Sequence, residues 1–134
     1  MPIEFVRDDR RRLAIVTVKE PTSIDEILGV IERRASDDAW GYAVLYDLRA
    51  VTKASADTDL QHIADRVQAL GAGRQRGEVG IAIQPLPALF LLGLMFTKLT
   101  RDFLTVEVLL SAAQIDAWLA RNTSADPLRL PERH

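Results

Sequence analysis

Four short apolar runs set the terms for this chain: Leu13–Lys19 (LAIVTVK), Ala43–Tyr46 (AVLY), Val79–Ile83 (VGIAI) and Phe103–Leu110 (FLTVEVLL). Between them lie stretches whose apolar residues recur at helical spacing. Runs without polar alternation suit strands covered on both faces. Strands joined through helices pair in parallel by right-handed crossovers. Few folds satisfy that alternation.

Ile3–Arg7 (IEFVR) reads as a further strand ahead of the first run. The polar segment Asp8–Arg12 between the two suits a hairpin turn, so this pair is expected to be antiparallel. Ser23-Ile-Asp-Glu26 matches a capping box, and Ile24, Ile27, Leu28, Ile31 and Ala35 carry a helix to about Ala35. Asp57 or Thr58 opens the next helix, with Leu60, Ile63, Ala64, Val67 and Leu70 inward. Gly71 and Gly73 close it. Pro85 and Pro87 lead into an apolar helix over 86–99. Ser111-Ala-Ala-Gln114 is a second capping box, opening a helix with Ile115, Trp118 and Leu119 on its inner face. The expected fold is α/β: a five-stranded mixed sheet with an N-terminal β-hairpin and four helices, on both faces. It forms a single domain over 1–123, with an irregular tail over 124–134. In such sheets ligands favour the carboxyl ends of the parallel strands.

The helix at 86–99 is the unusual element. Between Leu86 and Phe96 every residue except Pro87 and Gly93 is apolar. A helix laid on a sheet normally keeps one polar face. This one needs cover from a ligand, a second copy of the chain, another helix or a membrane surface. As a helix the stretch 86–96 spans about 16 Å, roughly half a bilayer core, so it is too short to cross a membrane. Leu89, Leu92, Met95, Phe96 and Leu99 are the candidate contacts for a hydrophobic small molecule or a protein partner. Cover by the last helix and the Leu128/Leu130 tail is the plainer alternative.

Composition removes several functions. The 134 residues carry a net charge of −2, which gives no electrostatic case for nucleic acid. Cysteine is absent, so disulfides, thiol catalysis and thiolate metal sites are excluded. The first residues do not form a secretory signal, and a cytoplasmic location is expected.

With this order of elements the chain resembles the STAS-like proteins, a bacterial group related to anti-sigma-factor antagonists and described as STAS/SEC14-like. The resemblance covers about residues 3–120. It rests on Leu13–Val18, on Val44–Arg49 (VLYDLR), on Val79–Ile83 and on Met95-Phe96-Thr97. It also rests on Val106–Ser111 leading to Ala117-Trp-Leu119. It implies a non-enzymatic binding module that uses no cofactor and takes either a hydrophobic or lipid-like small molecule beside the 86–99 helix or a partner chain there, as a homodimer. In the antagonists a phosphorylatable serine precedes the helix after the Asp-containing strand. That position corresponds to Ala56, which has no hydroxyl, and the motif's glycine corresponds to Thr58. Ser55, one residue earlier, is the remaining candidate phosphosite for a phosphoswitch regulator.

Asp47 and Arg49 flank Leu48 at the end of a central strand. They suit either an anchor for a polar head group or a loop-fixing ion pair, and the ion pair is the simpler reading. His62 stands between Asp59 and Asp65 on one helix. Without a second histidine at ligand spacing it is a weak metal or proton-relay candidate. A small hydrolase or isomerase built on Asp47 or His62 is the remaining alternative. Gly71–Gly77 follows a helix and precedes a strand, the reverse of a phosphate loop's setting. No catalytic or metal residue is assigned.

Overall fold

A computed structural model describes residues 3–20, 23–36, 41–52, 57–71 and 77–123. The strands are β1 (Ile3–Asp8), β2 (Leu13–Val18), β3 (Ala43–Asp47), β4 (Val79–Ala82) and β5 (Val106–Leu109). The helices are α1 (Ile24–Ser36), α2 (Asp57–Leu70), α3 (Pro87–Thr100) and α4 (Ala112–Asn122). The five strands lie side by side in chain order, with β1 antiparallel to β2 and all later neighbours parallel. This is the α/β architecture, hairpin included, that the apolar runs imply.

The sequential order places the helices. Each crossover steps to the next strand in the same direction, so right-handed connections put α1, α2 and α3 on one face. Val30, Ala64, Leu89 and Phe96 accordingly pack over Ala14, Val16, Val44, Val79 and Ile81. The other face receives α4, whose Ile115 and Trp118 cover Leu13, Ala43, Leu45, Ala82 and Leu109. The same order removes any point at which the strands reverse direction of travel. The crevice that usually holds ligands in such sheets therefore does not arise.

Local chemistry sets the ends of these elements. The Ser23 N–H donates to Glu26 Oε1 at 3.0 Å, and the Glu26 N–H donates to Ser23 Oγ at 3.2 Å, a reciprocal cap. At α4 the Gln114 N–H donates to Ser111 Oγ at 3.2 Å. The Gln114 side chain, however, accepts from the Leu110 N–H at 2.6 Å, one residue before the cap. The last strand is shorter than its apolar run suggests. The Phe103 and Leu104 N–H groups both donate to the Thr100 carbonyl, holding the start of the run in a turn after α3. At the β1–β2 turn Arg12 takes a left-handed φ of 54°. The Tyr42 ring lies beside the guanidinium groups of Arg7 and Arg12, at 5.4 and 5.0 Å, and its hydroxyl donates to Asp9 at 2.7 Å. That contact ties the hairpin to the start of β3.

Candidate functional site: an apolar cavity under the crossover helices

Strand alternation gives the α1–α3 face of the sheet a floor of small and branched side chains. Val16, Val44 and Ile81 rise from it, and Tyr46 stands between Val16 and Ile81 in register. Three helices bridging β-branched residues leave space between them. The result is a cavity of about 160 Å³. Ile27 and Val30 of α1, Leu60 and Ile63 of α2, and Leu89 and Phe96 of α3 form its roof. Among the described residues, Tyr46 is the one lining residue whose side chain carries a hydrogen-bonding atom.

The apolar helix divides its residues in two. Leu89, Gly93 and Phe96 are buried, and with Leu92 they line the cavity. Its outer side exposes Phe90, Leu91 and Leu94, with Leu91 at 59% exposure, and Leu86 and Leu99 flank them. Met95 is half-buried outside the cavity lining. Of the seven candidate contacts, the structure therefore brings Leu89, Leu92 and Phe96 together. Thr100, fully buried at the end of α3, donates its hydroxyl to the Phe96 carbonyl at 2.8 Å.

Asp47 and Arg49 stand apart from this site. Asp47 is in register with Thr17 and Ala82, on the α4 side of the sheet, one residue beyond the cavity-lining Tyr46. Its carboxylate accepts from Arg49 Nε at 2.9 Å, from Nη2 at 2.8 Å and from the Arg49 N–H at 3.1 Å. The Arg49 side chain, hydrogen-bonded to it, holds the Asp47 carboxyl below the usual carboxylate range. Burial opposes that shift, while the Arg49 N–H and charge add to it. Gln84 donates to the Arg49 carbonyl at 2.8 Å, closing the loop against the end of β4. This is the loop-fixing arrangement.

His62 is exposed on α2, between Gln61, which donates to Asp65 at 2.8 Å, and the inward Ile63. Among the described residues no cluster of three or more His, Asp or Glu side chains could hold a metal ion. No described helix is long and apolar enough to cross a membrane. Ser55 and Ala56 lie outside the described residues, as do the Leu128/Leu130 tail and Gly73.

The cavity floor and the α1 and α2 contributions were not singled out from sequence. The signal for them is the alternation of Val16, Val44, Tyr46 and Ile81 onto one sheet face. That signal gains meaning only once the strand register is known. Compared with known proteins, the chain matches no family model, no curated protein and no solved structure.

Proposed function

We propose that this protein is a non-enzymatic binding module for a small hydrophobic molecule held between the sheet and α1–α3. The observation that carries the reading is the cavity of about 160 Å³ with its almost wholly apolar lining. Close-packed interiors hold few voids larger than a water molecule. The space is partly open, so its apolar walls meet water unless a hydrophobic molecule covers them. A dry apolar cavity of about 150 Å³ is known to take up benzene.

The absence of charged and nucleophilic groups among the described lining side chains, Tyr46 aside, supports binding over turnover. Asp47 is committed to Arg49, and His62 sits on the exposed side of α2. Membership of the STAS-like group, in a bacterial cytoplasmic setting, is part of the same proposal and rests on the motif order. The phosphoswitch alternative rests on Ser55 or a neighbouring hydroxyl such as Thr52 or Thr58.

Toluene titration followed by methyl NMR tests the reading. Saturable shifts at Val16, Val44 and Ile81 are expected, weakened by the cavity-filling variant Val44→Phe. No saturable shift, or shifts confined to Leu91 and Leu94, would overturn it.

A second reading has its own observation, the exposed Leu91 and Leu94 on the outer side of α3. A second copy of the chain covering that stripe would make a homodimer. Sedimentation equilibrium checks it, since a monomer up to high micromolar concentration rules the dimer out.

A further inference from the structure

We infer that the cavity selects an uncharged ligand bearing a single hydrogen-bonding group, read by the Tyr46 hydroxyl. This rests on the binding reading above and adds the chemical class of the ligand. Tyr46 lies at the carboxyl-terminal end of β3, half-buried in the cavity wall. No protein group among the described residues hydrogen-bonds its hydroxyl. A phenol can donate or accept one bond, which suits an alcohol, ketone, ester or phenol. A hydroxyl at such a half-buried position gains from a partner of this kind.

Charge is excluded by the same wall. Among the described residues no lysine, arginine or histidine lines the cavity, so a carboxylate or phosphate inside meets no counter-charge from them. The cations at the ends of β2 and β3 are already paired. Lys19 faces Glu4 at 3.7 Å, and Arg49 holds Asp47 at 2.8 Å. Among the described residues acidic groups are equally missing from the lining, which disfavours amines.

Three probes of similar size separate the possibilities: toluene, benzyl alcohol and benzoate, titrated at pH 7.5 into the wild-type chain and Tyr46→Phe. Benzyl alcohol is expected to bind the wild type and to weaken about five- to tenfold in Tyr46→Phe, the loss of one net hydrogen bond. Toluene should change less than about twofold, and benzoate should not bind either protein. Benzoate binding as tightly as benzyl alcohol would overturn the inference. So would equal effects of Tyr46→Phe on toluene and benzyl alcohol. Both results leave the apolar binding site standing, whereas failure of toluene itself removes the site and the inference together. Circular dichroism of Tyr46→Phe confirms the comparison is between folded proteins, and the wild-type benzoate titration decides the charge question without any variant.

Discussion

Gly80 is the socket for Trp118: a Cβ built on Gly80 would lie 2.8 Å from Trp118 Cε2. The indole, 1% exposed, rests on β4 because the α4 face of that strand carries only Gly80 and Ala82. Gly80→Val should lift α4 from the sheet and cost about 1–3 kcal/mol, as overpacking does. Urea unfolding measures the loss. Toluene binding on the opposite face should survive in the folded fraction, which separates damage to α4 from damage to the cavity.

Gly77 meets a harder obstacle. A Cβ there would lie 2.2 Å from the Tyr42 carbonyl oxygen, and backbone cannot rotate away as a side chain can. Gly77→Ala should therefore destabilise by at least about 2 kcal/mol, although it adds one methyl group. A thermal melt unchanged from wild type would show that the strands separate freely at this point.

The two sides of α3 should respond oppositely to charge. Leu94 is 45% exposed and Leu89 is 7% exposed. Leu94→Glu should leave stability within about 0.5 kcal/mol of wild type, as surface changes usually do. Leu89→Glu buries an unpaired carboxylate against the sheet and should unfold the chain or abolish toluene binding. Circular dichroism and the toluene titration read both. Unfolding by Leu94→Glu would mean that the outer stripe is core.

The Asp47–Arg49 pair predicts a pH dependence. The Asp47 carboxyl titrates below its ordinary value in the folded chain, so its stabilising effect is present above the unfolded value. The effect is lost as pH falls through the folded value. Because Arg49 is half exposed, screening limits the pair to about 0.5–1 kcal/mol at pH 7. Asp47→Asn should lose that amount at pH 7 and converge with wild type in strong acid. A difference that persists below pH 2 would assign the loss to packing.

Sequence by itself determined the elements, because strand and helix follow from local periodicity and from caps such as Ser23–Glu26. It also marked α3 as needing cover, since its residues are apolar all round. Which of its residues turn inward was not legible, and the structure puts Leu89, Leu92 and Phe96 on the cavity, leaves Leu99 exposed and sets Met95 outside the lining. Asp47 was placed at the mouth of a strand, yet its side chain belongs to the face opposite Tyr46. A one-residue step along a strand reverses the face, so only the register decides that question. The cavity itself needed the tertiary structure. It arises because sequential strand order and right-handed crossovers put three helices over one face, and no local pattern records how closely those helices approach. Tyr46 reads in sequence as one more residue of an apolar run. Only the convergence of β2, β3, β4 and three helices makes it, among the described residues, the single lining residue with a polar side chain.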